Sequence, residues 1–223
     1  MFHKTSLISL ALVIFLAIAI DARAEVVLSA SSVISAPPVL TGYSFDRTID
    51  QSGLTIGYVS GVTDFNTYIG LSPIHTYSET PNSFAASPTA VPQNVDYDLG
   101  GTYLVTKMAF WNYPFNTLGP VTALDVYTAN NAGFAGAFFA GSFLPADDAT
   151  GVNTNQAQVF DLADSGARYV RLRITGQATL NQIGYSEVAF AVIPEPFTVG
   201  YIAVAAVTLL GTAGRTRRRS DCR

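Results

Sequence analysis

The chain has 223 residues, 49% hydrophobic and only 13% charged, and its single cysteine, Cys222, stands next to the C-terminus. That placement excludes disulfides, thiolate zinc sites and a cysteine nucleophile from the body of the chain. Residues 25–193 carry five basic side chains against thirteen acidic ones, a net charge of −8, which sets nucleic acid aside as a partner.

The N-terminus reads as a targeting segment. Lys4 supplies a positive n-region, residues 7–20 form an apolar run, and Ala22-Arg23-Ala24 offers small residues for cleavage. Residues 1–24 are therefore expected to be a secretory signal peptide cut after Ala24, with a retained anchor as the alternative. Residues 25–193 are long enough for one exported domain with its own core.

Within that domain the signals are those of strands. Residues 25–45 read as an extended lead-in broken at Pro37-Pro38, and residues 78–92, with three prolines among small residues, as a long surface loop. Strands are expected at 103–110 and 121–127, rich in β-branched and aromatic residues, and near Val188, Phe190 and Val192. Residues 168–175 read as an alternating strand, with Val170, Leu172 and Ile174 expected to face inward and the arginines outward. Asn112-Tyr113-Pro114, Leu118-Gly119-Pro120, Asn130-Asn131-Ala132-Gly133 and Asp164-Ser165-Gly166 supply turn chemistry between them. No stretch keeps a helical period over three turns. The expected fold is all-β, a sandwich or jelly roll.

Four segments in order give that expectation a family. Val95-Asp96-Tyr97-Asp98-Leu99-Gly100, Met108-Ala109-Phe110-Trp111-Asn112-Tyr113, Ala167-Arg168-Tyr169-Val170-Arg171-Leu172 and Ile183-Gly184-Tyr185-Ser186-Glu187-Val188 follow one another along the chain. This succession resembles that of discoidin-type, galactose-binding-like domains. The resemblance implies a jelly-roll β-sandwich whose loops at one end bind sugars, lipids or proteins. It also implies a structural calcium, for which Asp50, Thr63 and Glu187, with backbone carbonyls, stand at the matching places. A hard cation of this kind takes oxygen ligands. The alternative is that Asp50 is a turn residue and Glu187 pairs with a neighbouring arginine. Among the aromatics, Trp111 reads as core. Tyr113, Phe115 and Asn116, in the loop after it, are the candidate ligand-binding residues. Phe134, Phe138, Phe139 and Phe143 read as packing at a covered edge, with a sticky surface patch as the alternative.

The C-terminus carries the most specific signal. Pro194-Glu195-Pro196 is followed by eighteen uncharged residues, 197–214, and then by Arg215, Arg217, Arg218 and Arg219. At 1.5 Å per residue such a helix is about 27 Å long, near the thickness of a bilayer's apolar core. The arginines after it stay cytoplasmic and leave the upstream chain outside. The prolines keep the entry to the helix extended and accessible. This order of parts closely resembles the PEP-CTERM sorting signal of Gram-negative bacteria. It implies an exosortase-type processing enzyme as partner, passage across the inner membrane, a transient anchor, and a final place in the envelope or extracellular matrix. A plain C-terminal anchor is the alternative.

Catalysis is not expected. His75, the only histidine outside the signal segment, has no motif around it, and no Gly-x-Ser-x-Gly elbow occurs. Asp147-Asp148 is the one conspicuous acidic pair and reads as solvated. The function expected is that of a non-catalytic surface or matrix protein with polysaccharide as the candidate ligand. A carbohydrate-active hydrolase and a purely structural envelope protein are the alternatives.

Overall fold

The computed structural model describes residues 24–76, 85–113, 119–146, 154–178 and 182–194. The signal segment 1–23 lies outside them, as do Phe115, Asn116, Asp147, Asp148, Glu195, Pro196, the 197–214 segment and the terminal arginines. Among the described residues no helix is long and apolar enough to cross a membrane.

Ten strands account for most of the described chain: β1 (Val26–Leu28), β2 (Ser32–Ser35), β3 (Ile74–Thr76), β4 (Ala85–Ser87), β5 (Gln93–Asn112), β6 (Val121–Ala129), β7 (Phe138–Phe143), β8 (Thr154–Gln156), β9 (Gln158–Gln177) and β10 (Ile183–Pro194). A 3-10 turn, Phe45–Thr48, and one short helix, α1 (Phe65–Gly70), complete the set. Eight strands form one antiparallel sheet in the order β1-β10-β5-β9-β6-β7, with β2 added to β5 and β4 to β10. β3 and β8 form a separate two-stranded ribbon.

β5 and β9 organise the rest. Each is 20 residues long, and they pair at both ends, Gln93–Asp98 with Tyr169–Ile174 and Tyr103–Phe110 with Gln158–Ala167. Between the two blocks the register shifts, and Gly100 adopts φ 80°, open to glycine at little cost. A second shift between Val105 and Lys107 exchanges the faces of the strand, since one extra residue reverses the inward–outward parity. Val95, Tyr97, Leu99 and Val105 therefore enter the main core on one parity, Met108 and Phe110 on the other.

That main core joins inward residues of β5, β6, β9 and β10. A second cluster lies on the opposite side of β5 and β10: Ala109, Trp111, Ala189 and Ala191 pack under Tyr58, Phe65 and Tyr68 from the segment around α1. The C-terminal half of β5 and most of β10 are thus buried on both faces. That accounts for the nearly continuous apolar run Val188–Ile193. Asp64 caps α1, accepting from the Thr67 N–H at 2.7 Å.

Several expectations are corrected. The lead-in contains two strands, because β1 pairs with β10 and β2 with β5 through backbone groups. In the 78–92 region, Ala85, Ala86 and Ser87 are not surface loop but a buried strand against Ile183–Tyr185. Asp164-Ser165-Gly166 is not a turn: Ser165 and Gly166 pair with Val105 and Leu104 inside β9. β7 is an open edge of the sheet, with Phe138 and Phe139 each 49% exposed. The phenylalanine cluster is therefore divided, since Phe134 is buried and Phe143 stacks on Phe160 at 5.0 Å.

Candidate functional site

Two places concentrate polar chemistry. The first is on the outer face of β9 and β6. Asp96, Arg171, Tyr127 and Phe139 align across β5, β9, β6 and β7, and the next row runs through Asn94, Arg173 and Asp125. Asp96 takes a bidentate pair from Arg171, Nε to Oδ1 at 2.7 Å and Nη2 to Oδ2 at 2.8 Å. Further along, Arg168 does the same to Asp98, both bonds at 2.9 Å, and so holds the Asp98 carboxyl below its ordinary pKa. Arg173 is less constrained, with its side chain 46% exposed and Asp125 4.0 Å away. Asp125 accepts from the Ser142 hydroxyl at 2.5 Å.

The turn after β6 covers this ladder. Asn131 clamps it, its side chain donating to the Ala135 carbonyl and accepting from the Ala135 N–H. Phe134 sits at φ 55°, an uncommon conformation for an aromatic residue, and its ring lies over the Arg171 guanidinium at 4.1 Å. Tyr127 rests against Phe139 with ring centroids 5.4 Å apart. Between the turn and the strands runs an open groove of about 500 Å³ lined by Asn94, Tyr127, Phe134, Arg171 and Arg173.

The second place is sealed. Glu187 lies opposite Trp111 in β10, after a bulge at Tyr185, and is 0% exposed. Among the described residues neither of its carboxylate oxygens has a hydrogen-bond partner of ordinary geometry. Burial pushes its pKa well above the usual glutamate range, the nearby Asp50 carboxylate adds to the rise, and the Gln51 N–H pulls it partly back. Tyr58 and Tyr68 are raised as well, first by burial and then by Glu187. A charged, buried carboxylate near a second one is costly unless a proton or a cation neutralises it.

These donors fit the calcium implied by the discoidin resemblance in part. Glu187 and Asp50 are brought together. Asp50 already accepts from Arg47 and from the Ser52 N–H, both at 2.9 Å. Thr63 is spent elsewhere: its carbonyl accepts from the Val27 N–H and its hydroxyl from the Val59 N–H. Among the described residues no group of three His, Cys, Asp or Glu side chains converges. A cation here would be held by Glu187 and Asp50 with backbone carbonyls of the 49–53 turn.

The remaining candidates separate clearly. Tyr113 is only 2% exposed and packs with Ala86, Leu40 and Tyr43, so its ring presents no face to a ligand. The exposed reading is thereby corrected. Its strand-end neighbour Asn112 explains the burial: the amide donates to the Val121 carbonyl and accepts from the N–H groups of Val121 and Tyr113. Trp111 is fully buried, with its indole N–H donating to the Pro73 carbonyl at 3.0 Å. His75 is 1% exposed, so close under Gly53 that a Cβ there would meet its ring at 2.0 Å. The outward Arg171 and Arg173 were legible from alternation, whereas Arg168 has the parity of the inward Val170 and is nonetheless exposed. Their partners Asn94, Tyr127 and Phe134 come from other strands and a turn, and no local pattern marks them.

No protein-family model matches the chain, and no curated protein sequence matches it. Solved structures do. A truncated AlyQ with CBM32 and alginate lyase domains aligns with 78% of this chain at 14% identity and a TM-score of 0.50, and the chain spans about a third (34%) of it. The CBM32 of AlyQ in complex with 4,5-unsaturated mannuronic acid aligns with 74% of this chain and 96% of its own, at 15% identity and a TM-score of 0.49. The family 32 module of Clostridium perfringens NanJ, in complex with galactose, aligns with 75% of this chain and 98% of its own at 12% identity and a TM-score of 0.47. The described residues are mostly antiparallel sheet, with a likeness in fold to carbohydrate-binding modules of this discoidin-like type.

Proposed function

We propose that this chain is an exported, non-catalytic protein of the cell surface or extracellular matrix whose β-sandwich binds polysaccharide. The observation that carries the proposal is the fold, shared at a TM-score of 0.50 with a structure containing a family-32 carbohydrate-binding module.

Sorting rests on the sequence. The signal segment sends the domain across the inner membrane. The 197–214 segment and the arginines hold it there until an exosortase-type enzyme reads Pro194-Glu195-Pro196 and releases it to the envelope or matrix. Pro194, the first residue of the tripeptide, lies in β10 opposite Tyr103.

A glycan array probed with the mature protein from its host tests the binding role, and its intact mass tests the sorting. Retention of one or more polysaccharides, with a mass starting at Glu25 and lacking the arginines, is the expected result. An empty array would leave a purely structural role. A full-length tail in the surface fraction would reduce the signal to an anchor.

A further inference from the structure

We infer that the groove on the outer sheet face, between the Asn131–Gly136 turn and strands β9 and β6, is the polysaccharide site, and that its ligand is a neutral, pyranose-based chain. This inference rests on the carbohydrate-binding reading and adds the place and the chemical class to it.

Three observations carry it. First, the volume of about 500 Å³ lies in the range of ligand sites, and the groove is open along the sheet, so it admits the middle of a chain. Second, it combines the groups that sugars require. Tyr127 gives an apolar ring at the wall. Arg173 and the Asn94 amide give hydrogen-bond donors, and the Asn94 amide oxygen gives an acceptor for hydroxyl groups. Third, the site is built. Asn131 fixes the turn that holds Phe134 at positive φ over Arg171, and Asp96 fixes the other side of the same guanidinium. Arg171 is thereby a rigid floor, and Arg173 is left to adjust to a ligand.

Charge selects the class. The two guanidiniums that line the groove, Arg171 and Arg173, are each balanced by a carboxylate just outside the lining, Asp96 and Asp125. The exported part as a whole carries −8, so an acidic polymer is repelled during approach and gains no net positive site on arrival. A neutral chain meets neither obstacle.

Affinity gel electrophoresis of the full chain in mild non-ionic detergent tests this, with dextran, galactomannan, xylan, hydroxyethyl cellulose and polygalacturonate as probes. Retardation by at least one neutral polymer and none by polygalacturonate is expected. Arg173→Ala, at a half-exposed side chain outside the core, should weaken that retardation about tenfold while the melting temperature stays put. Tyr127→Ala should weaken it further, with Tyr127→Phe retaining it. Neutral-polymer binding unchanged in Arg173→Ala and Tyr127→Ala would overturn the groove and leave the carbohydrate-binding reading standing. Stronger retardation by polygalacturonate would overturn the assignment of class. Failure of every probe would overturn the inference together with the reading beneath it.

Discussion

The two polar regions of the sheet treat acidic side chains in opposite ways. On the open face, Asp96 meets the Arg171 guanidinium directly across the strand pair, Asp98 meets that of Arg168 one residue from its cross-strand partner Tyr169, and both guanidiniums keep access to water. On the covered face, Glu187 is fully buried opposite Trp111, with the Asp50 carboxylate near enough to raise its pKa further. Cross-strand opposite charges on a solvated face are ordinary sheet stabilisation. A buried carboxylate without a partner is not, and must be neutralised by a proton or by a cation. The difference lies in how each charge is answered: by a guanidinium of the chain on the open face, by a proton or a cation on the covered one.

The largest effect expected from breaking this contrast is at Arg171. Arg171→Ala leaves the nearly buried Asp96 carboxylate unpaired and removes the surface under Phe134, so unfolding free energy should drop by about 3 kcal/mol, the low end for breaking a buried pair. Chemical denaturation measures it. A loss as small as that of a surface pair would show that Asp96 is solvated after all.

Next comes the covered face. If a cation completes Glu187, calcium at a hundredfold excess over Kd should stabilise the protein by about 2.7 kcal/mol, raising Tm by about 5–10 °C for a domain of this size. Glu187→Gln should remove the response, because an amide is the poorer ligand for a hard cation. Identical melting curves in calcium and in chelator would withdraw Asp50 and Glu187 as ligands, and would leave a proton as the means of neutralising Glu187.

The smallest effect belongs to Arg168. Its pair with Asp98 lies at the surface, so Arg168→Ala should destabilise measurably less than Arg171→Ala. The sign with pH is fixed. Asp98 has its folded pKa depressed below the ordinary 3.8, chiefly by Arg168, so the pair's contribution is present above that value and fades as pH falls through the folded pKa. The gap between wild type and Arg168→Ala should therefore close in acid. A gap that persists at pH 2 would assign the loss to packing against Tyr169 instead.

Much of the fold can be read locally. Alternation in residues 168–175 places Val170, Leu172 and Ile174 inside and Arg173 outside, because side chains of a strand point alternately to opposite faces. The short elements are not legible in that way. β1, β2 and β4 hold three or four residues each and exist because a longer strand offers them an edge. Asp164-Ser165-Gly166 has the composition of a turn, yet pairing with β5 carries the strand through it. Tyr113 follows an exposed-looking loop motif, but the hydrogen bonds of Asn112 draw the chain end inward.

The sequence by itself determined the mostly β class, the inward and outward sides of the main strands, the core position of Trp111, and an acidic central region framed by two apolar termini. These follow from side-chain period, composition and charge, which are properties of neighbours in the chain. Only the tertiary structure decided that Asn94, Arg173 and Tyr127 share a groove with Phe134, and that Glu187 is sealed beside Asp50 while Thr63 turns to β1. Residues of different strands become neighbours through register and bulges, and a single-residue shift, such as that between Val105 and Lys107, reverses the face on which every later side chain falls.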